Sequence, residues 1–228
     1  MKGILYGNFL LNKSWFIASG IVAVLGTVLC ALCKILIPTT SSEFLMVLFG
    51  GVQLVTFAIL TEWLGRNLEA NIKCRFTDMT LAGGISKNMF VMTELVKNLL
   101  TIALGLAVCL LMQLVMNVFD NSFFTWERIK LLLLLVLFVG AFEFAMNPLI
   151  INLKSSEKAG LLFGSVVGFG IVCPLIAVSR FFEYNLLPDI YNVIISPLFT
   201  PAFVGFCAAV YVLFYFILLR RVKKGDVC

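Results

Sequence analysis

The sequence predicts an all-α integral membrane protein with six transmembrane helices and both termini cytoplasmic. Of 228 residues, 61% are hydrophobic and 13% charged, whereas about a quarter of a soluble chain is charged. The stretches 14–33, 44–61, 98–119, 159–179 and 190–219 contain no Asp, Glu, Lys or Arg, and 131–153 is broken only by Glu143. A hydrocarbon core of ~30 Å needs ~20 helical residues, because backbone amides in lipid must be satisfied within their own segment. The spans fall near residues 15–37, 44–63, 99–119, 131–153, 161–179 and 198–219. Thirteen Lys and Arg residues lie on the side of the termini against four opposite (Lys34, Arg128, Lys130, Arg180), and cationic loops stay in the cytoplasm. The net charge of +5 follows from that asymmetry and points to anionic lipid headgroups, with no nucleic acid implied.

The first span follows Lys2 and Lys13 and has no small-residue cleavage site, so it is expected to be retained. It holds Cys30 and Cys33, a CxxC with no second pair in a chain that lacks histidine. Small apolar packing residues are the expected reading. The second span carries Gln53, Gly50 and Gly51. At the start of the third, Glu94 and Lys97 are spaced for a helical ion pair. Farther along it, Gln113 and Asn117 are read as hydrogen bonds between helices and also as candidate pathway residues.

In the fourth span Glu143 is followed one turn later by Asn147 and then by Pro148, which frees a backbone carbonyl. A carboxylate in lipid costs at least ~2.5 kcal/mol, so Glu143 must face protein or a water-filled path. A structural hydrogen bond and a pathway role are both open for Glu143 and Asn147. The fifth span has Gly164, Gly168 and Gly170, which with Gly20, Gly50 and Gly51 are expected to permit close helix crossing. Before the sixth span, the outer segment 180–196 carries Phe181, Phe182, Tyr184 and Tyr191. It suits either a re-entrant dip or a loop lying on the lipid surface.

Without histidine, Ser-His-Asp and Cys-His catalysis and His-ligated zinc are excluded, and all four aspartates fall in loops or tails. No catalytic residue, metal or directly bound cofactor is expected. The longest cytoplasmic connection, 64–88, mixes Leu68, Ile72, Phe76, Met79 and Leu81 with charges at near-helical spacing. That pattern predicts a short surface helix around 73–81, stopped by Gly83 and Gly84. The run Gly83-Gly84-Ile85-Ser86-Lys87 does not match GxxxxGK[ST], so the chain is not expected to bind ATP itself.

The lead-in Met1-Lys-Gly-Ile-Leu-Tyr-Gly-Asn-Phe-Leu, the six spans, and a first cytoplasmic loop ending in Leu81-Ala-Gly-Gly-Ile-Ser-Lys-Asn-Met-Phe-Val91 resemble the permease subunit of bacterial ABC-2 type (type V exporter-like) transporters. The proline common before that isoleucine is Gly84 here. The resemblance implies a multi-pass protein of the bacterial plasma membrane, partnered by a separate ABC ATPase subunit that binds ATP and Mg. It also implies a second permease half, either another copy of this chain or a related one. Lys73, Arg75, Phe76 and Asp78 would couple to the ATPase. Short outer loops and the lack of a soluble domain favour an amphipathic or apolar cargo such as a peptide, a lipid or a drug. The alternatives are an ion-coupled secondary carrier using Glu143 and a non-transporting membrane anchor or regulatory subunit.

Overall fold

The computed structural model describes residues 13–36, 42–73, 86–121, 123–167 and 199–224. These form six helices, with no strand among the described residues. They are α1 (Lys13–Leu36), α2 (Ser42–Lys73), α3 (Lys87–Asn117), α4 (Trp126–Leu153), α5 (Ser156–Val167) and α6 (Phe199–Lys224). All but α5 are long and apolar enough to cross a membrane. The twelve described residues of α5 reach only about 18 Å at the helical rise.

The distribution of residues over each helix fits a lipid solvent. In α1 the buried positions are Ser19, Ala23, Thr27, Cys30 and Ala31, while Ile21, Val24, Leu25, Val28 and Leu29 are exposed. A helix in water would reverse that arrangement. In α3, likewise, Thr93, Glu94, Lys97, Asn98 and Thr101 are buried, and Leu99, Leu100, Leu104 and Leu111 are exposed. Hydroxyls facing inward are satisfied locally: Thr27 donates to the Ala23 carbonyl at 2.6 Å and Thr101 to the Lys97 carbonyl at 2.9 Å. These features fit a multi-pass membrane protein.

Two helices run well past the apolar stretches that the sequence marks. Residues 64–73, expected as loop, are the last turns of α2, and α3 begins at Lys87, twelve residues before residue 99. The reason is an amphipathic face outside the uncharged core. Leu64, Leu68 and Ile72 recur every fourth residue and are buried, while Glu62–Arg66 and Glu69–Lys73 pair at i,i+4. Ser86 caps α3, its hydroxyl accepting from the Met89 amide at 3.2 Å. The short helix expected around 73–81 lies outside the described residues apart from Lys73.

The chain divides into two compact units. The first comprises residues 1–67 and 92–140. Its core gathers Ala23, Cys30 and Ala31 of α1, Leu45 and Phe49 of α2, and Met112 and Met116 of α3, with Phe123 from the following turn. Phe123 meets Phe49 edge-on at 5.3 Å. At one end Arg66 lies over the Trp15 ring at 5.0 Å, and at another Lys34 reaches Asp120 at 3.2 Å. α2 packs tightly on α3 at Gly105, where an added Cβ would collide with the Phe57 ring and lie 3.2 Å from Leu60. Gly26 does the same for α1, against Val52. The glycines named from sequence are not the close contacts. At Gly20, Gly50, Gly51 and Gly164 an added Cβ meets no described atom within 4 Å, and Gly168 and Gly170 lie outside the described residues.

The second unit comprises residues 68–91 and 141–228. Phe142 packs on Phe163 at 4.2 Å and Phe144 on Tyr211 at 5.4 Å, joining the second half of α4 to α5 and α6. Lys154, in the left-handed region at φ 50°, turns the chain between α4 and α5. Glu69 then closes the start of α5, accepting from the Ser156 amide at 2.8 Å and the Ser156 hydroxyl at 2.6 Å. Lys87 donates to the Lys223 carbonyl at 3.1 Å, so α3 starts beside the end of α6.

Candidate functional site

Polar groups inside the first unit concentrate on facing sides of α2 and α3. Gln53 donates through Nε2 to the Cys109 carbonyl at 3.0 Å, which ties the two helices at mid-length. Farther along, toward the start of α3, Glu94 and Lys97 form an ion pair at 2.5 Å with side chains only 5% and 2% exposed. The i,i+3 pair expected from spacing therefore forms, but in the interior. Among the described residues this carboxylate is the one polar partner of the Lys97 ammonium. Asn98 in the next position donates to the Gly140 carbonyl of α4 at 3.2 Å. An ion pair so deeply buried is weak evidence of stabilisation, because desolvation of both charges offsets their attraction.

At the other end of the same unit α2, α3 and α4 line an open groove of about 640 Å³. Its walls are apolar: Phe49 and Leu54 from α2, Phe123 from the turn, and Leu131, Leu132 and Leu135 from α4. Gly50 and Gly51 leave one side without side chains. Among the described residues three polar side chains interrupt the lining, Gln53, Gln113 and Arg128. Gln113 is 4% exposed, and its Oε1 is buried without a hydrogen-bond partner among the described residues. The Arg128 guanidinium lies 5.3 Å from the centre of the Phe123 ring, a cation–π contact that holds it at the lining. Few convergent polar groups on apolar walls are the usual composition of a small-molecule site.

The sequence-predicted residues separate between the two units. Gln113 lines the groove. Asn117, one turn on, ends α3, and its Oδ1 accepts the Phe124 amide at 3.1 Å, so it shapes the turn that carries Phe123. Glu143 and Asn147 belong to the second unit, where Glu143 is half-buried and Asn147 is 6% exposed. Lys73 closes α2 in an ion pair with Glu69 and keeps more than half of its side chain exposed. Arg75, Phe76 and Asp78 lie outside the described residues, as does the outer segment 180–196. Arg128 was legible in the sequence only as an outer cation. No pattern in the chain marks it as a neighbour of Gln113.

Among the described residues no three metal-ligating side chains come together. Comparison with protein-family models, with characterised proteins and with solved structures yields no match.

Proposed function

We propose that this chain is the membrane-embedded subunit of a transporter for amphipathic solutes, and that its energy comes from ATP hydrolysed by a separate subunit. The observation that carries the transport reading is the groove among α2, α3 and α4, apolar over most of its wall and polar at Gln53, Gln113 and Arg128. The energy source rests on the likeness of residues 81–91 to the first cytoplasmic loop of ABC-2 permeases. In that reading the long α2 conducts motion from the coupling residues Lys73, Arg75, Phe76 and Asp78 into the bundle. Lys73 and Glu69 pair at its end, and Glu69 also holds Ser156, so a push on the loop would reach α5.

Reconstitution in liposomes tests this. Movement of a fluorescent amphipathic peptide is expected only when an ATPase subunit and ATP are both present. Movement driven by a proton or sodium gradient with this chain alone would instead identify an ion-coupled carrier. No movement under either condition would leave an anchor or regulatory subunit.

A further inference from the structure

We infer that an anionic phospholipid binds along the outer face at the end of α6, its phosphate between Arg220 and Lys223 and an acyl chain over Leu213 and Phe216. The inference is separate from the transport reading and holds whatever the chain carries or anchors.

The face is set by what lies behind it. Leu218 and Val222, 0% and 1% exposed, mark the inward side of the helix. Leu213 and Phe216 stand on the other side, 57% and 61% exposed, and Arg220 and Lys223 are exposed there too. Those four positions recur at helical spacing, so a single stripe runs from apolar to cationic, and all four line one open groove. Arg220 is the first charged residue after the uncharged stretch 190–219, which places it where a helix leaves hydrocarbon for headgroups. Leu213 and Phe216 lie about 6–10 Å back along the helix at its ordinary rise. A phospholipid has the same order, charge at the interface and hydrocarbon beneath it.

Charge selects the headgroup. Among the described residues neither Arg220 nor Lys223 forms an ion pair. One turn apart, these like charges repel. A third cation joins them from a distant part of the chain, because Lys87 at the start of α3 donates to the Lys223 carbonyl at 3.1 Å. A phosphate between Arg220 and Lys223 would receive charge-assisted hydrogen bonds from both and relieve the repulsion. A choline head would bring another cation into the cluster, so phosphatidylglycerol fits better than phosphatidylcholine. A soluble acidic protein could meet the cations but not Leu213 and Phe216, which belong to the uncharged stretch.

The test is native mass spectrometry of the full chain in detergent, titrated separately with phosphatidylglycerol and phosphatidylcholine of the same acyl chains. Phosphatidylglycerol is expected to bind more tightly, and Arg220→Gln/Lys223→Gln should weaken it roughly tenfold or more. The charge-keeping exchange Arg220→Lys/Lys223→Arg should retain it, and Leu213→Ser/Phe216→Ser should weaken it. Lys13→Gln/Lys158→Gln, which removes two other exposed cations, should change it little. Glycerol phosphate, the head without its chains, should compete poorly. Equal affinity for the two lipids, binding unchanged in Arg220→Gln/Lys223→Gln, or an equal loss in the Lys13 and Lys158 control overturns the proposal. Strong competition by glycerol phosphate would overturn it in favour of free phosphate. Unchanged lipid binding with loss of a co-purifying protein would overturn it in favour of a protein partner.

Discussion

Glu94 and Lys97 stand one turn apart on α3 with their charged atoms 2.5 Å from each other and almost no exposed side-chain surface. Each charge is tolerated because the other is present. Glu94→Gln would leave a buried ammonium uncompensated and is expected to cost about 3–5 kcal/mol. Lys97→Met should cost a similar amount, while the double variant Glu94→Gln/Lys97→Met should recover most of the loss. Thermal unfolding of the three proteins in one detergent checks this, and additive losses would contradict the pairing.

Glu69 gives a pH dependence whose sign can be worked out. Burial pushes its carboxyl up, but hydrogen bonds from Lys73 and from the Ser156 hydroxyl and amide outweigh it and hold the group down at about 2. The site lies beyond the uncharged part of α2, in the segment bearing Arg66, Asn71 and Lys73. A depressed carboxyl stabilises the fold fully above its ordinary value of 4.5, and the stabilisation is lost as pH falls toward about 2. Glu69→Gln should cost about 1–3 kcal/mol at neutral pH and flatten the acid side of the stability profile. Glu62→Gln, which removes only an exposed pair with Arg66, should cost about 0.5 kcal/mol or less.

Gly105 and Gly164 should respond oppositely to alanine. At Gly105 the methyl collides with Phe57, so Gly105→Ala is expected to destabilise by about 1–3 kcal/mol. At Gly164 an added Cβ meets no described atom within 4 Å, and Gly164→Ala should be neutral or stabilising by up to about 1 kcal/mol. Melting temperatures of the two purified variants make the comparison.

On the proposed coupling, Phe76→Ala is expected to weaken retention of the proposed ATPase subunit by at least tenfold, an aromatic anchor commonly contributing ~2 kcal/mol or more. The control is Trp126→Ala at the start of α4, where the residue is 77% exposed. Phe123 does not serve: although it lies in a turn, it is 2% exposed and packed on Phe49, so its truncation would cost about 3–5 kcal/mol of stability. Pull-down titration of the ATPase against each variant gives the answer.

The apolar spans were legible because lipid demands length and the absence of charge, and both are visible residue by residue. The ends were not. Leu64, Leu68 and Ile72 form a buried stripe among charges, and in a sequence those charges read as a loop although they pair along the helix surface. Spacing alone was enough for the Glu94–Lys97 pair because an i,i+3 contact is local. The close crossings at Gly26 and Gly105 were missed for the opposite reason, since they depend on which side chain of another helix, Val52 or Phe57, comes opposite. The groove was hidden in the same way. Gln53, Gln113 and Arg128 are distant in sequence and converge only when α2, α3 and α4 pack.

The most direct measurement of the central claim is affinity purification of the full chain from native membranes, tagged at one end and solubilised in mild detergent. The expected result is a co-purifying subunit that carries a Walker A motif, in stoichiometric amount, whose ATP hydrolysis rises when the amphipathic substrate is added. A chain that purifies without any such subunit, yet moves an amphipathic peptide across liposomes under an ion gradient alone, would contradict it.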